Sequence, residues 1–200
     1  MRTLWARILA GEVNKPGSYS RRALSILSDL TKVEAEIFTQ LCGFVVDIGL
    51  PNPFDRVNRE PKFRQPVVLS FKDKIYTSRG IDEHRLAMLS TIGLITFNLA
   101  ARYSLKAEGE RTDFRYFKNV ADLYFAEPHR RAFDIGMVTF TSVGAELSNI
   151  AGATEIPDFL LYLGTIIRRE GAAIVSEFPR RVPKVTVTKC GNNAIRHRTF

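Results

Sequence analysis

The sequence is poor in the residues on which disulfide-bonded and metal-binding proteins depend. Its 200 residues include two cysteines, Cys42 and Cys190, and three histidines. Two cysteines are too few for a disulfide framework or for a zinc site built from cysteine alone. The histidines His84, His129 and His197 do not stand at metal-ligand spacing. We therefore expect no metal site and no cofactor.

Long hydrophobic runs and a targeting signal are also missing. No apolar run reaches the ~18 residues of a membrane-spanning helix, and the N-terminus lacks the apolar core of a signal peptide. Hydrophobic residues account for 45% of the chain and charged residues for 25%, which is typical of globular proteins rather than of disordered or fibrous ones. The sequence therefore predicts a cytoplasmic protein without a membrane span, folded as a single domain over residues 1–200.

The usual catalytic motifs are missing as well. No glycine-rich loop fits a phosphate-binding pattern, and no run of carboxylates has the clustering that holds a catalytic magnesium ion. Cys42 lies on the apolar stripe of a predicted helix, where a cysteine is most simply a small buried hydrophobic residue. The sequence assigns no catalytic residue, and an effector enzyme such as a nuclease is the third hypothesis, behind two binding hypotheses.

The one unusual bulk property is an excess of positive charge. Lysines and arginines number 29 against 21 aspartates and glutamates, a net charge of +8. Residues 51–80 carry 7 basic and 3 acidic groups, and residues 176–200 carry 6 and 1. Two interpretations are open: a basic surface for phosphate groups, or solvated segments whose cations discourage sheet pairing. The first interpretation predicts nucleic-acid contacts in segments 56–79 and 180–198 and in one helix between them. The residues are Arg56, Arg64, Lys72, Arg85, Arg180, Arg181 and Lys184.

The first fifty residues have the spacing of helices. Apolar residues recur at helical intervals over residues 2–12 and 20–30. Thr31 and Glu34 form a capping box, which opens a third helix. Because the chain begins inside an amphipathic helix, we expect it to be a fragment of a longer protein.

Residues 51–80 change in character. Four prolines exclude a helix interior there, and the pattern predicts a basic insertion with short strands at 65–70 and 74–78. In the last part of the chain, residues 151–200, the pattern predicts a helix that begins near Pro157 and two strands, at 174–178 and 185–188.

The segment between these parts carries a specific order of elements. Asp82 caps a predicted helix that ends at Gly93, and a strand at 94–97 follows at once. A second strand at 137–140 runs into a helix capped by Thr141. The polar, charge-balanced residues 104–133 lie between the two strands, and most of them are interpreted as a long excursion, with a short helix or strand around Val120–Phe125.

This order predicts an α+β fold that is mainly helical, with a winged-helix-like core in residues 81–150 and short antiparallel strands. A winged helix reads DNA with the first residues of its recognition helix. Here that helix opens with Asp82 and Glu83, which repel phosphate, and leaves Arg85 as the base reader. The acidic opening favours contacts with protein.

The N-terminal residues resemble a known family. Leu4–Glu12, read as Leu-Trp-Ala-Arg-Ile-Leu-Ala-Gly-Glu, and the following Pro16-Gly17-Ser18-Tyr19-Ser20 are similar to the bacterial domain of unknown function 2806, with Tyr19 where the family usually has Phe. The later Thr-x-x-Gly-x-Glu-Leu at 141–147 is similar too. The resemblance implies a cytoplasmic bacterial protein related to abortive-infection-type phage defence, and it supplies no catalytic residue.

Two binding hypotheses follow. The first is a non-catalytic module for contacts with a protein partner or with a second copy of the chain, within a setting such as phage defence. The second is a winged-helix-like domain that binds nucleic acid through segments 56–79 and 180–198, with an affinity that falls steeply with salt.

Overall fold

The computed structural model of the chain describes residues 17, 19–49, 63–106, 111–125, 132–169 and 172–176. The predicted helix at 2–12 and the predicted strand at 185–188 lie outside these residues.

The first two helices of the described chain begin as their sequence predicts. Helix α1, Arg21–Asp29, is capped by Ser20, whose Oγ accepts a hydrogen bond from the Ala23 amide at 3.1 Å. Helix α2, Lys32–Cys42, opens with the predicted capping box, in which Thr31 and Glu34 satisfy each other's amides. Each cap supplies partners for amides that a helix leaves unpaired at its start. The predicted burial of Cys42 is also confirmed.

A five-stranded antiparallel sheet forms the centre of the described structure. Its strands lie in the order β2-β1-β5-β6-β9. In the two longest strands, the side chains of one face are buried: Thr112, Phe114 and Tyr116 of the first, and Ala121, Leu123 and Phe125 of the second. The strands are β1 Val45–Ile48, β2 Phe63–Pro66, β5 Arg111–Tyr116, β6 Asn119–Phe125 and β9 Ala172–Ser176.

Two further pairs of antiparallel strands form a ribbon whose strands precede and follow the hairpin β5–β6 in sequence. Strands β3, Ile95–Phe97, and β8, Val138–Phe140, pair at one end, and β4, Tyr103–Lys106, and β7, Ala132–Gly136, pair beyond them. Val68 joins the ribbon to the segment after β2, since its amide donates to the Ile135 carbonyl at 2.9 Å.

Gly136 allows the chain to approach Val68 at this junction. The residue has a φ of +90°, and a Cβ there would lie 1.8 Å from the Val68 carbonyl oxygen. Only glycine combines this φ with such a close approach of two backbones.

Four further helices complete the described elements. Asp82 caps one and Thr141 another, each through its side-chain oxygen, so both predicted caps are confirmed. The helix predicted near Pro157 is present, and its apolar face packs into the core. The helices are α3 Lys74–Thr77, α4 Glu83–Thr91, α5 Ser142–Ser148 and α6 Phe159–Arg169.

An aromatic cluster lies between the sheet and helix α6. The Phe159 ring packs edge-on against Phe44, with centroids 5.1 Å apart, and against Tyr116 at 5.2 Å. The three side chains are fully buried. Burial of large aromatic residues at this point fixes α6 to the strands, because such rings contribute much of the apolar area of a core.

The predicted fold class is wrong in its main statement. The chain is not mainly helical, since nine strands and six helices occur in the residues that the structure describes. Residues 104–133, expected as a peripheral excursion, supply β5 and β6 to the middle of the main sheet, so the core is not that of a winged helix. The strands predicted at 94–97 and 137–140 are present as β3 and β8, and they pair with each other. The strand predicted at 74–78 is wrong, because Lys74–Thr77 is a helical turn that buries Tyr76.

Candidate functional site

Two segments of the family-like pattern meet at the start of α1. The backbone amide of Ser20 donates to Oε1 of Glu146, and its Oγ donates to Oε2 at 2.8 Å. The same Oγ caps α1, so a carboxylate from α5 completes a cap that lies 126 residues away in sequence. A carboxylate at a helix N-terminus is also favoured by the helix dipole.

Thr141 and Gly144 fix the start of α5 against the backbone of Gly93 and Leu94. The Thr141 hydroxyl donates to the Gly93 carbonyl at 2.7 Å and accepts from the Gly144 amide at 3.1 Å. A Cβ on Gly144 would lie 1.8 Å from the Leu94 carbonyl oxygen. We call Ser20, Thr141, Gly144 and Glu146 the joint. Its residue types are explained by hydrogen bonding and close packing.

Arg64, a predicted phosphate contact, is used inside the fold. Its Nη1 lies 2.8 Å from Oδ1 and 3.1 Å from Oδ2 of Asp47, and its Nε donates to the Ser148 hydroxyl at 2.9 Å. The Asp47 side chain is only 12% exposed and that of Arg64 30%. The guanidinium therefore joins β1, β2 and α5. The partly buried Asp47 carboxylate balances its positive charge, so the pair offers an external phosphate little net positive charge.

Arg85, the predicted base reader, folds back onto the turn before α4. Its Nη1 donates to the Gly80 carbonyl at 2.8 Å, and its Nε lies 3.7 Å from Oδ2 of Asp82. Lys72, by contrast, is exposed at the turn before α3. The remaining predicted contacts lie outside the described residues: Arg56, Arg180, Arg181 and Lys184.

The described residues hold little of the positive charge. They carry 15 lysines and arginines against 13 aspartates and glutamates, a balance of +2 within the total of +8. Most of the excess positive charge of the chain therefore belongs to residues outside the described ranges.

Two reactive side chains, Cys42 and Tyr162, have raised pKa values. Burial raises the pKa of the Cys42 thiol far above its ordinary value, which disfavours the nucleophilic thiolate. Burial and the hydrogen bond from the Tyr162 hydroxyl to Oδ2 of Asp73, 2.6 Å long, raise the pKa of Tyr162 as well. Among the described residues, no group of three His, Cys, Asp or Glu side chains is placed to hold a metal ion.

The tip of the hairpin β5–β6 exposes apolar side chains on a strained turn. Tyr116 pairs with Asn119, which leaves a two-residue turn of Phe117 and Lys118. Phe117 has a φ of +52°, in the region that such turns usually reserve for Gly, Asn or Asp. Its side chain is 36% exposed and that of Val120 54%. A bulky aromatic residue in this conformation is a genuine outlier.

A loop before α6 lies beside this turn. Nδ2 of Asn119 donates to Oε1 of Glu155 at 2.8 Å. Asp158 in the same loop has a φ of +65°, so the two non-glycine residues of positive φ in the described chain occur in these neighbouring segments. We call the exposed residues of the two segments the tip surface: Phe117, Lys118, Asn119, Val120, Thr154, Glu155, Pro157 and Asp158.

Tyr116 connects the tip surface to the core. Its buried hydroxyl accepts a hydrogen bond from the Ile156 amide at 2.8 Å and donates to the Gly43 carbonyl at 2.9 Å. Burial raises the pKa of Tyr116 to about 12. One side chain therefore connects the hairpin, the loop and the end of α2 beneath the tip surface.

The tip surface was missed by sequence reasoning, although a signal was present. Thr112, Phe114 and Tyr116 alternate before the turn, and Ala121, Leu123 and Phe125 alternate after it. This period of two predicts paired strands. The turn between them, Phe117-Lys118, lacks the glycine or asparagine that marks a hairpin in a sequence.

Comparison with known proteins gives a family. A family model described as "Protein of unknown function (DUF2806)" matches residues 1–164. The chain belongs to the DUF2806 family. The membership in this family that the resemblance implied is thereby confirmed. No curated protein and no solved structure matches the chain.

The match shows which features of this DUF2806 protein the family model covers. Residues 1–164 include the joint and the tip surface and end within α6. The basic segment 180–198 lies beyond the match. Across the described ranges, no helix is both long and apolar enough to cross a membrane.

Proposed function

We propose that this DUF2806 protein is a module for contacts with protein, and that the tip surface is its contact site. The observation that carries the proposal is the hairpin tip, where Phe117 has a φ of +52° and is 36% exposed, and where Val120 is 54% exposed. Backbone strain of this kind costs about 1–3 kcal/mol and is concentrated at functional sites. The Phe117 ring packs edge-on against Tyr116, with centroids 4.9 Å apart, so the side chain is also held in place from within the fold.

The anchoring of the tip surface supports the same conclusion. Tyr116 and Phe159 are buried beneath it, and both are in contact with elements of the core. A surface that is already rigid loses little conformational entropy when a partner binds. Exposed aromatic and aliphatic side chains with charged residues around them are the usual composition of a contact centre.

The setting that we propose is phage defence in the cytoplasm. Its support is the resemblance of this family to abortive-infection-type proteins. Deletion of the encoding gene should raise the plating efficiency of a sensitive phage, and re-expression of a Val120→Lys variant should not restore protection. Protection by that variant would contradict a role of the tip surface in defence.

The test of the contact is photo-crosslinking in the cells of the source organism. A photoreactive phenylalanine analogue at position 120 should give a discrete adduct identified by mass spectrometry. The matched control is position 33, because Val33 on α2 is the same residue type and is 58% exposed, against 54% for Val120. Adducts of equal yield at both positions, or no adduct at position 120, would contradict the proposal.

Nucleic-acid binding is the second candidate, and Lys72 favours it. Lys72 is exposed directly after Phe71, whose ring meets Phe97 at a centroid distance of 5.9 Å. A cation beside aromatic rings is a common arrangement in single-strand binding. Binding of a fluorescent oligonucleotide at low salt, weakened by Lys72→Glu and by added salt, would support this candidate. Arg180→Glu and Arg181→Glu test the C-terminal segment in the same assay.

A further inference from the structure

We draw no further inference here: the strongest candidate, the outer edge of strand β9 in the main sheet, carries nothing because no residue of the described chain shows what covers it.

Discussion

The joint and the tip surface differ in how the chain uses its polar groups and backbone. At the joint, Ser20, Thr141 and Glu146 are bound to partners, and Gly144 is a glycine because a backbone passes against it. At the tip surface, a bulky residue has a glycine-like φ and exposes its ring. The comparison teaches that the residues which stand out in the sequence motifs hold the fold together. The residues best suited to binding stand outside those motifs.

The largest expected effect concerns Gly144. Gly144→Ala should lower the free energy of unfolding by about 3 kcal/mol or more. The new methyl group would overlap the Leu94 carbonyl oxygen, and a backbone atom moves aside only at a large cost in energy. Urea denaturation measures the change.

Gly164→Ala is the matched control for this substitution. A Cβ at Gly164 meets nothing within 4 Å, so alanine in the interior of α6 should stabilise the protein by about 0.5–1 kcal/mol. A similar loss of stability in both variants would show that the close packing of the joint is not special.

The second effect concerns the cap that α5 supplies to α1. Ser20→Ala and Glu146→Gln should each cost about 1–2 kcal/mol, because each leaves an amide or hydroxyl at the start of α1 with a weaker partner. The double variant should cost less than the two single changes together, as expected for residues in direct contact.

Glu36→Gln is the control for charge removal on a helix. Glu36 pairs with Lys32 at 3.7 Å on the exposed face of α2, and exposed pairs of this kind contribute about 0.5 kcal/mol or less. Additive effects of Ser20→Ala and Glu146→Gln would contradict the joint as a single unit.

The smallest effect in stability concerns the strained turn. Phe117→Gly should be more stable than Phe117→Ala by about 1 kcal/mol, although glycine is usually the less stable of the two, because only glycine relieves a positive φ. Both variants lose the ring and should weaken the contact equally. If alanine is the more stable residue at position 117, the backbone there is not strained.

The sequence predicted the local features of this fold well. The capping box of Thr31 and Glu34 and the cap of Thr141 join residues three positions apart, and such short-range hydrogen bonds can be recognised from residue type and spacing. The helices α1, α2 and α4 follow from the same rules. Their agreement with the structure reflects how little these elements depend on distant partners.

The features that the sequence did not predict depend on distant pairing. The bonds between Ser20 and Glu146 connect residues 126 positions apart, and Arg64 reaches Asp47 only because β1 and β2 pair. The hairpin β5–β6 was overlooked because the outward residues of its strands are mostly polar and its turn has no glycine. A motif search emphasises residues that fix the fold, so it directs attention to the joint rather than to the tip surface.

The most direct test of the tip surface is the comparison of photo-crosslinking at position 120 with photo-crosslinking at position 33. Val120 and Val33 are matched positions, since they have the same side chain and exposures of 54% and 58%. The account predicts a discrete adduct from position 120 and a much lower yield from position 33. No adduct at position 120, or adducts of equal yield at both positions, would contradict it.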